Sequence, residues 1–227
     1  MKDISLIEEI GPGVSKAARI LDEALTGAED GEIYVESVRS ESFLFDDGRL
    51  KSASYDSGQG FGLRVVSGET TGYAHASEVS EAALRRAASA ASAAKRGRSG
   101  TLAVGPTPVN RRLYADVDPT ASPDFVTKTG LLAEIDAWCR ARDPRVVQVS
   151  VSLAGSRTAV EIIRAGGASV TDARPLVRLN ISVTMEKDGR RETGSAGAGG
   201  RAAYDEWIQP DRWKALAQRA LRKAEIN

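Results

Sequence analysis

Histidine and cysteine are nearly missing: His75 and Cys139 are single occurrences in 227 residues. One cysteine cannot form an intrachain disulfide, which fits a reducing compartment. With one histidine beside it, the chain cannot furnish the three ligands rich in His or Cys that a catalytic zinc usually takes. Net charge is missing too, since Lys plus Arg and Asp plus Glu both number 31. No overall field therefore draws the chain to phosphates or anionic lipid, and nucleic acid is not an expected partner. No apolar run approaches the roughly 20 residues of a membrane span. Glu8 and Glu9 stand where a signal peptide would carry its apolar stretch, so a cytoplasmic protein is expected.

What is present is an ordinary globular composition, 41% hydrophobic and 27% charged, enough for a real core. Ala17, Ile20, Leu21 and Ala24 recur at helical spacing within 14 to 25, between Gly-Pro-Gly and Gly27. From Ile33 to Ser77 the pattern changes to strands. Asp47-Gly48 suits a tight hairpin, a second turn falls at Ser67-Gly68-Glu69, and Phe61, Leu63 and Val65 form an apolar row. An alanine-striped helix over 80 to 95, with Ser80 as its cap, is the expected cover for that row. Residues 97 to 122 are rich in Gly and Pro and read as an extended connector.

Beyond it, Ser122 as cap and Pro123 at the first helical position open a helix on which Phe125, Thr129, Leu132, Ile135 and Cys139 share a face. Alternating apolar residues follow over Val147 to Leu153 and Val177 to Met185. Asp188-Gly189 turns the last long strand, and a closing helix carries Trp213, Leu216, Ala217, Ala220 and Leu221. This order predicts an α+β fold of two modules with largely antiparallel sheets, 1–104 and 122–227, joined by a connector at 105–121.

Few residues offer chemistry. His75 alternates with Tyr73 and Thr71 on one strand face, with no second ligand nearby, and reads as a structural or surface histidine. Cys139, beside Trp138 on an apolar helix face, reads as an inert buried thiol. The stretch Gly194-Ser195-Ala196-Gly197-Ala198-Gly199-Gly200-Arg201 looks like a phosphate cradle but lacks the Gly-Lys-Ser/Thr ending of a P-loop and the dinucleotide spacing. Read as a loop, it would let backbone approach a peptide closely at Gly199 and Gly200, with Arg201 available to a carboxylate. Lys95-Arg96-Gly97-Arg98 suits a helix end. Asp46-Asp47 and Asp116-Val117-Asp118 sit among turn residues and carry no expected catalytic role.

Two stretches together resemble the TldD/PmbA family of metalloproteases. One is Asp56-Ser57-Gly58-Gln59-Gly60-Phe61-Gly62-Leu63-Arg64-Val65-Val66-Ser67-Gly68-Glu69 with Thr71-Gly72-Tyr73-Ala74; the other runs from Arg174-Pro175-Leu176-Val177-Arg178-Leu179 through Gly194–Arg201. The likeness covers roughly Tyr34 to Trp207 and favours the TldD side. It implies an amino-terminal portion of a cytoplasmic peptidase that degrades or trims peptides, working as a homodimer or with a sister PmbA/TldE-like subunit. It also implies zinc held by a His-Glu-x-x-x-His helix in the later half. That motif does not occur here, so no catalytic residue, metal ligand or cofactor is expected in this chain, and the family's carboxy-terminal metal-binding domain is expected to be absent from it. An older description of the family, as modulators of DNA gyrase, implies the alternative of a non-enzymatic protein-binding module.

Overall fold

Asp47 and Gly48 hold φ angles of 51° and 77°, and Asp188 and Gly189 hold 53° and 77°. Two successive left-handed residues are what a two-residue hairpin turn needs, and Asp-Gly supplies them at low steric cost. These turns join strands much longer than the sequence pattern suggests. The computed structural model describes residues 5–93 and 113–226. Its elements are α1 (Leu6–Ile10), α2 (Val14–Ala24), β1 (Asp30–Asp46), β2 (Arg49–Ser67), β3 (Thr70–Ala76), α3 (Glu81–Ser92), α4 (Phe125–Arg142), β4 (Val146–Arg164), β5 (Ser169–Lys187), β6 (Arg190–Gly200) and α5 (Pro210–Ile226).

The strands form one six-stranded sheet in the order β3-β2-β1-β4-β5-β6. Registers such as Phe61↔Ala76 to Ser67↔Thr70 and Val177↔Gly200 to Lys187↔Arg190 are antiparallel. β1 and β4 also run in opposite directions, since Arg164 near the end of β4 reaches Asp30 while Gln148 near its start reaches Asp46. The α+β class with antiparallel sheet is as expected. The chain divides into interleaved units: 1–38, 57–113 and 158–173 form one, and 39–56, 114–157 and 174–227 the other. β1, β2, β4 and β5 each contribute residues to both. The expected connector lies partly outside the described residues, and the basic cluster at 95 to 98 lies wholly outside them.

In the first unit, α2 and α3 lay Ala17, Ile20, Leu21, Leu84, Ala87 and Ala91 against Ile33, Val35, Phe61, Leu63 and Val65. The small side chains allow close approach, and each fully buried Leu or Ile contributes about 1.5–3 kcal/mol. Leu6 and Ile7 of α1 belong to the same core. Their anchor is Glu161, a wholly buried carboxylate that accepts from the Ser5 hydroxyl at 2.8 and 3.0 Å and from the Ile7 backbone N–H at 3.0 Å. The sheet's other face carries a ladder of charges. Arg64 lies 3.5 Å from Asp30 and 3.3 Å from Glu32, and Arg164 lies 2.8 and 3.4 Å from the same two acids.

The second unit is built from larger pieces. α4 and α5 bury Leu132, Ile135, Cys139, Trp213, Leu216 and Ala220 against Phe43, Val149, Val151, Val177, Leu179 and Ile181. The cap of α4 is Asp124, which accepts from the Thr127 N–H at 2.8 Å, so Ser122 and Pro123 precede the helix instead of opening it. Its buried face begins with Lys128, while Phe125 is exposed. The Lys128 side chain is 2% exposed, and its Nζ stands 2.6 Å from Glu41 Oε1, beside the Tyr204 ring at 5.0 Å. Glu41 Oε1 and the Tyr204 hydroxyl are both buried at this point. Burial, and then the charge of Glu41, push that hydroxyl's pKa upward.

Candidate substrate-binding site

The glycine-rich stretch is a strand, which corrects its reading as a loop. Residues 190–200 form β6, paired throughout with β5 and at one end of the strand order. The signal was missed because glycine and alanine leave no apolar alternation to read; the evidence for a strand is its packing. A Cβ on Gly194 would run into the backbone of Ala220 and Ala224, so this glycine is what lets α5 lie directly on the strand.

The three expected binding residues go to three environments. Gly199 faces the open side of the sheet opposite Arg178, and an added Cβ would strike the Val177 carbonyl. Gly200 lies under Trp207, whose ring carbon would stand 2.7 Å from an added Cβ. Arg201 follows the strand, exposed, with its guanidinium over the Tyr114 ring at 5.4 Å. They are contiguous in sequence but do not converge on one point.

Beside them is a cavity of about 420 Å³, which the sequence did not point to. Ser150 and Ser152 of β4, Arg178, Asn180 and Ser182 of β5, Ser195 and Gly197 of β6, and Arg219 and Lys223 of α5 line it. Arg178 Nε donates to Asn180 Oδ1 at 3.0 Å, Asn180 Nδ2 donates to Ser152 Oγ at 3.3 Å, and Lys223 Nζ donates to the Ser195 carbonyl at 2.9 Å. These residues alternate with the core positions of their strands, so no apolar pattern marks them. Arg219 and Lys223 come from a helix face that reads as solvent-exposed.

Other chemical candidates are absorbed by structure. Asp116 pairs with Arg157 at 2.8 Å, and Asp118 caps Thr120 and pairs with Arg39 at 3.2 Å. Asp47 pairs with Arg140 at 2.7 Å, and Asp46 accepts from Gln148 at 3.0 Å.

Matches to known proteins cover both parts of the sequence. Residues 31–95 match the description "PmbA/TldA metallopeptidase domain 1" and residues 118–227 match "PmbA/TldA metallopeptidase central domain". The chain belongs to the PmbA/TldD family. The metalloprotease TldD homolog of Haemophilus influenzae is 37% identical over 206 residues, covering 86% of this chain and 42% of that protein. The TldD homolog of Buchnera aphidicola subsp. Schizaphis graminum is 35% identical over 183 residues, 80% of this chain and 38% of the relative. The chain thus spans about two fifths of the length of these relatives. Among solved structures, TldE from Thermococcus kodakarensis superposes with a TM-score of 0.68 at 13% identity, over 93% of this chain and 47% of the other. A proposed modulator of a DNA gyrase from Thermotoga maritima gives 0.69 at 16%, over 86% and 44%. At such identities these neighbours speak for the fold alone.

The family descriptions name a metallopeptidase, so the described residues can be tested against a metal. They do not fit one. No three His, Cys, Asp or Glu side chains gather among the described residues. His75 is exposed on β3 and stacked on Tyr73, in the first unit. Cys139 is buried in the second unit, and burial, helped by the charge of Asp136, pushes its thiol up to about 12. That opposes the thiolate a metal requires. No helix among the described residues is long and apolar enough to cross a membrane.

Proposed function

We propose that this chain acts as the amino-terminal part of a TldD/PmbA-type metallopeptidase that degrades or trims peptides. It shapes the substrate path and the subunit interface around a zinc ion held outside it. The observation that carries this reading is the combination of a match over 86% of the chain with only 42% of its relative, and a residue set that fits no metal. The substrate is a peptide, approached through the end of β6 at Gly199, Gly200 and Arg201. The protein partner is a second copy or a sister PmbA/TldE-like subunit, in the cytoplasm.

Edge strands support the subunit role. β3 pairs with β2 only from Phe61 onward, and residues 49–59 of β2 are exposed. A row of unpaired backbone groups is a template for another strand. A strict monomer by light scattering at high concentration, even with a sister subunit added, would overturn this part of the reading.

The peptidase reading is tested by adding a carboxy-terminal family domain bearing His-Glu-x-x-x-His. Peptide cleavage sensitive to chelator is expected from the mixture and not from the chain alone. Cleavage by repurified chain alone, abolished by chelator and by His75→Ala, would sink the proposal. A second reading, a non-enzymatic protein-binding module, draws on the gyrase-modulator description of the Thermotoga neighbour. It predicts stable partner binding with no cleavage in any mixture.

A further inference from the structure

The register of the β5–β6 hairpin decides which backbone groups of β6 are free. In a two-residue hairpin the closing pair, Lys187↔Arg190, exchanges both hydrogen bonds, and every second pair after it does the same. Counting along β6, Gly194, Ala196, Ala198 and Gly200 point their N–H and C=O at β5. Ser195, Gly197 and Gly199 point theirs away. The Ser195 carbonyl is where Lys223 Nζ donates, from outside the strand pair, as this parity requires. The outward groups of Gly197 and Gly199 have no strand beside them among the described residues. Neither glycine has a side chain to shield them.

The charges beside this edge are one-sided. Arg178, Arg219 and Lys223 line the 420 Å³ cavity with four serines and Asn180, and no acid lines it. Elsewhere in the unit Arg39, Arg140, Arg145, Arg157, Arg190 and Arg191 each reach a carboxylate. Around Arg178, Arg219 and Lys223 no carboxylate lies within ion-pair distance among the described residues. An extended segment that paired with Gly197 and Gly199 would carry its terminal group to these cations, and a carboxylate is the group that guanidinium and ammonium donors match.

We propose that the β6 edge and the cavity beside it form a binding site for the free carboxy terminus of an extended peptide. Gly197 and Gly199 pair with its backbone, and Arg178, Arg219 and Lys223 take its carboxylate. The inference rests on the peptidase reading for its ligand class. It is tested by binding to this chain alone, so it can fail while the cleavage experiment succeeds, or the reverse.

The probe is an unstructured, uncharged decapeptide labelled at its amino end, made with a free carboxylate and as the amide. Anisotropy with the full chain at low salt is expected to show the acid form binding about tenfold or more tighter than the amide. Arg178→Ala and Arg219→Ala should each bring the acid form close to the amide, with the melting temperature unchanged. A double variant with Lys223→Met should abolish the preference. Equal binding of acid and amide would overturn the proposal. So would displacement of the peptide by inorganic phosphate at the peptide's own concentration, which would make this a generic anion site. A preference that survives all three substitutions would place the carboxylate elsewhere and likewise overturn it.

Discussion

The two units dispose of their charges in opposite ways. In the first unit Arg64 and Arg164 bracket Asp30 and Glu32, and buried Glu161 accepts hydrogen bonds from a hydroxyl and a backbone N–H. The second unit buries a full ion pair, Lys128 with Glu41, and yet leaves three cations on its open face without acids. A matched surface has little to offer a ligand, since any newcomer must displace a partner. An unmatched one can pair with a newcomer's acid without losing a partner of its own, and in a protein without net charge that imbalance is local. On the proposal above, recognition falls to the second unit.

The strongest way to break this contrast is to remove Lys128. Lys128→Ala strands Glu41 in the core and is expected to cost about 3–5 kcal/mol in chemical denaturation. Lys128→Met with Glu41→Leu should recover most of that loss, because an apolar pair needs no compensation. If the double variant is as unstable as the single one, the pair is not what holds this part of the core.

Cys139 reports on the second unit by itself. With its thiol raised from 9.0 to about 12, native labelling at pH 8 should run roughly a thousandfold slower than in denaturant, from thiolate fraction alone. The sign for stability follows. The folded state holds the neutral thiol, so its contribution is complete below pH 9 and is lost as pH rises from 9 towards about 12. Labelling at the unfolded rate in native buffer would contradict the buried placement.

Glu161→Ala in the first unit removes an acceptor for the Ser5 hydroxyl and the Ile7 N–H. It should cost about 1–3 kcal/mol, read as proteolytic release of the segment around α1. Arg164→Ala, on a ladder about a third exposed, should cost less than about 1 kcal/mol and less again at high salt. The smallest effect sharpens the contrast most. Arg178→Ala, with no acid to lose, should change stability by no more than about 0.5 kcal/mol. A larger loss would mean that Arg178 belongs to the scaffold.

Much of the fold was legible where local chemistry sets it. The Asp-Gly turns, the helices near 14–25 and 80–95, and the Phe61-Leu63-Val65 and Val177 to Met185 rows all follow from spacing and turn propensity. What escaped was set by distant partners. β2 is exposed from 49 to 59 and buried along one face afterwards, so it shows no single pattern. Lys128 occupies a core position on α4 because Glu41, 87 positions earlier in the numbering, faces it, and no helical periodicity announces such a pair. The β6 glycines look like a loop until α5 is laid on Gly194. Gly199, Gly200 and Arg201 were named from a stretch read as a loop; Arg178, Arg219 and Lys223 come from other elements, and no local pattern marks them.

The interleaving of the units also has a consequence for how the protein is made. The first unit takes its last segment from residues 158–173, and the second begins at residue 39 yet draws on 174–227. A ribosome releasing about 5–20 residues per second therefore emits neither core in one piece. For the first two thirds of synthesis, β1 lacks its other neighbour in the sheet, β4, and the first unit lacks its last segment. Nascent chains stalled before residue 158 should bind holdase chaperones, and those stalled past residue 173 should begin to resist protease over the first unit alone.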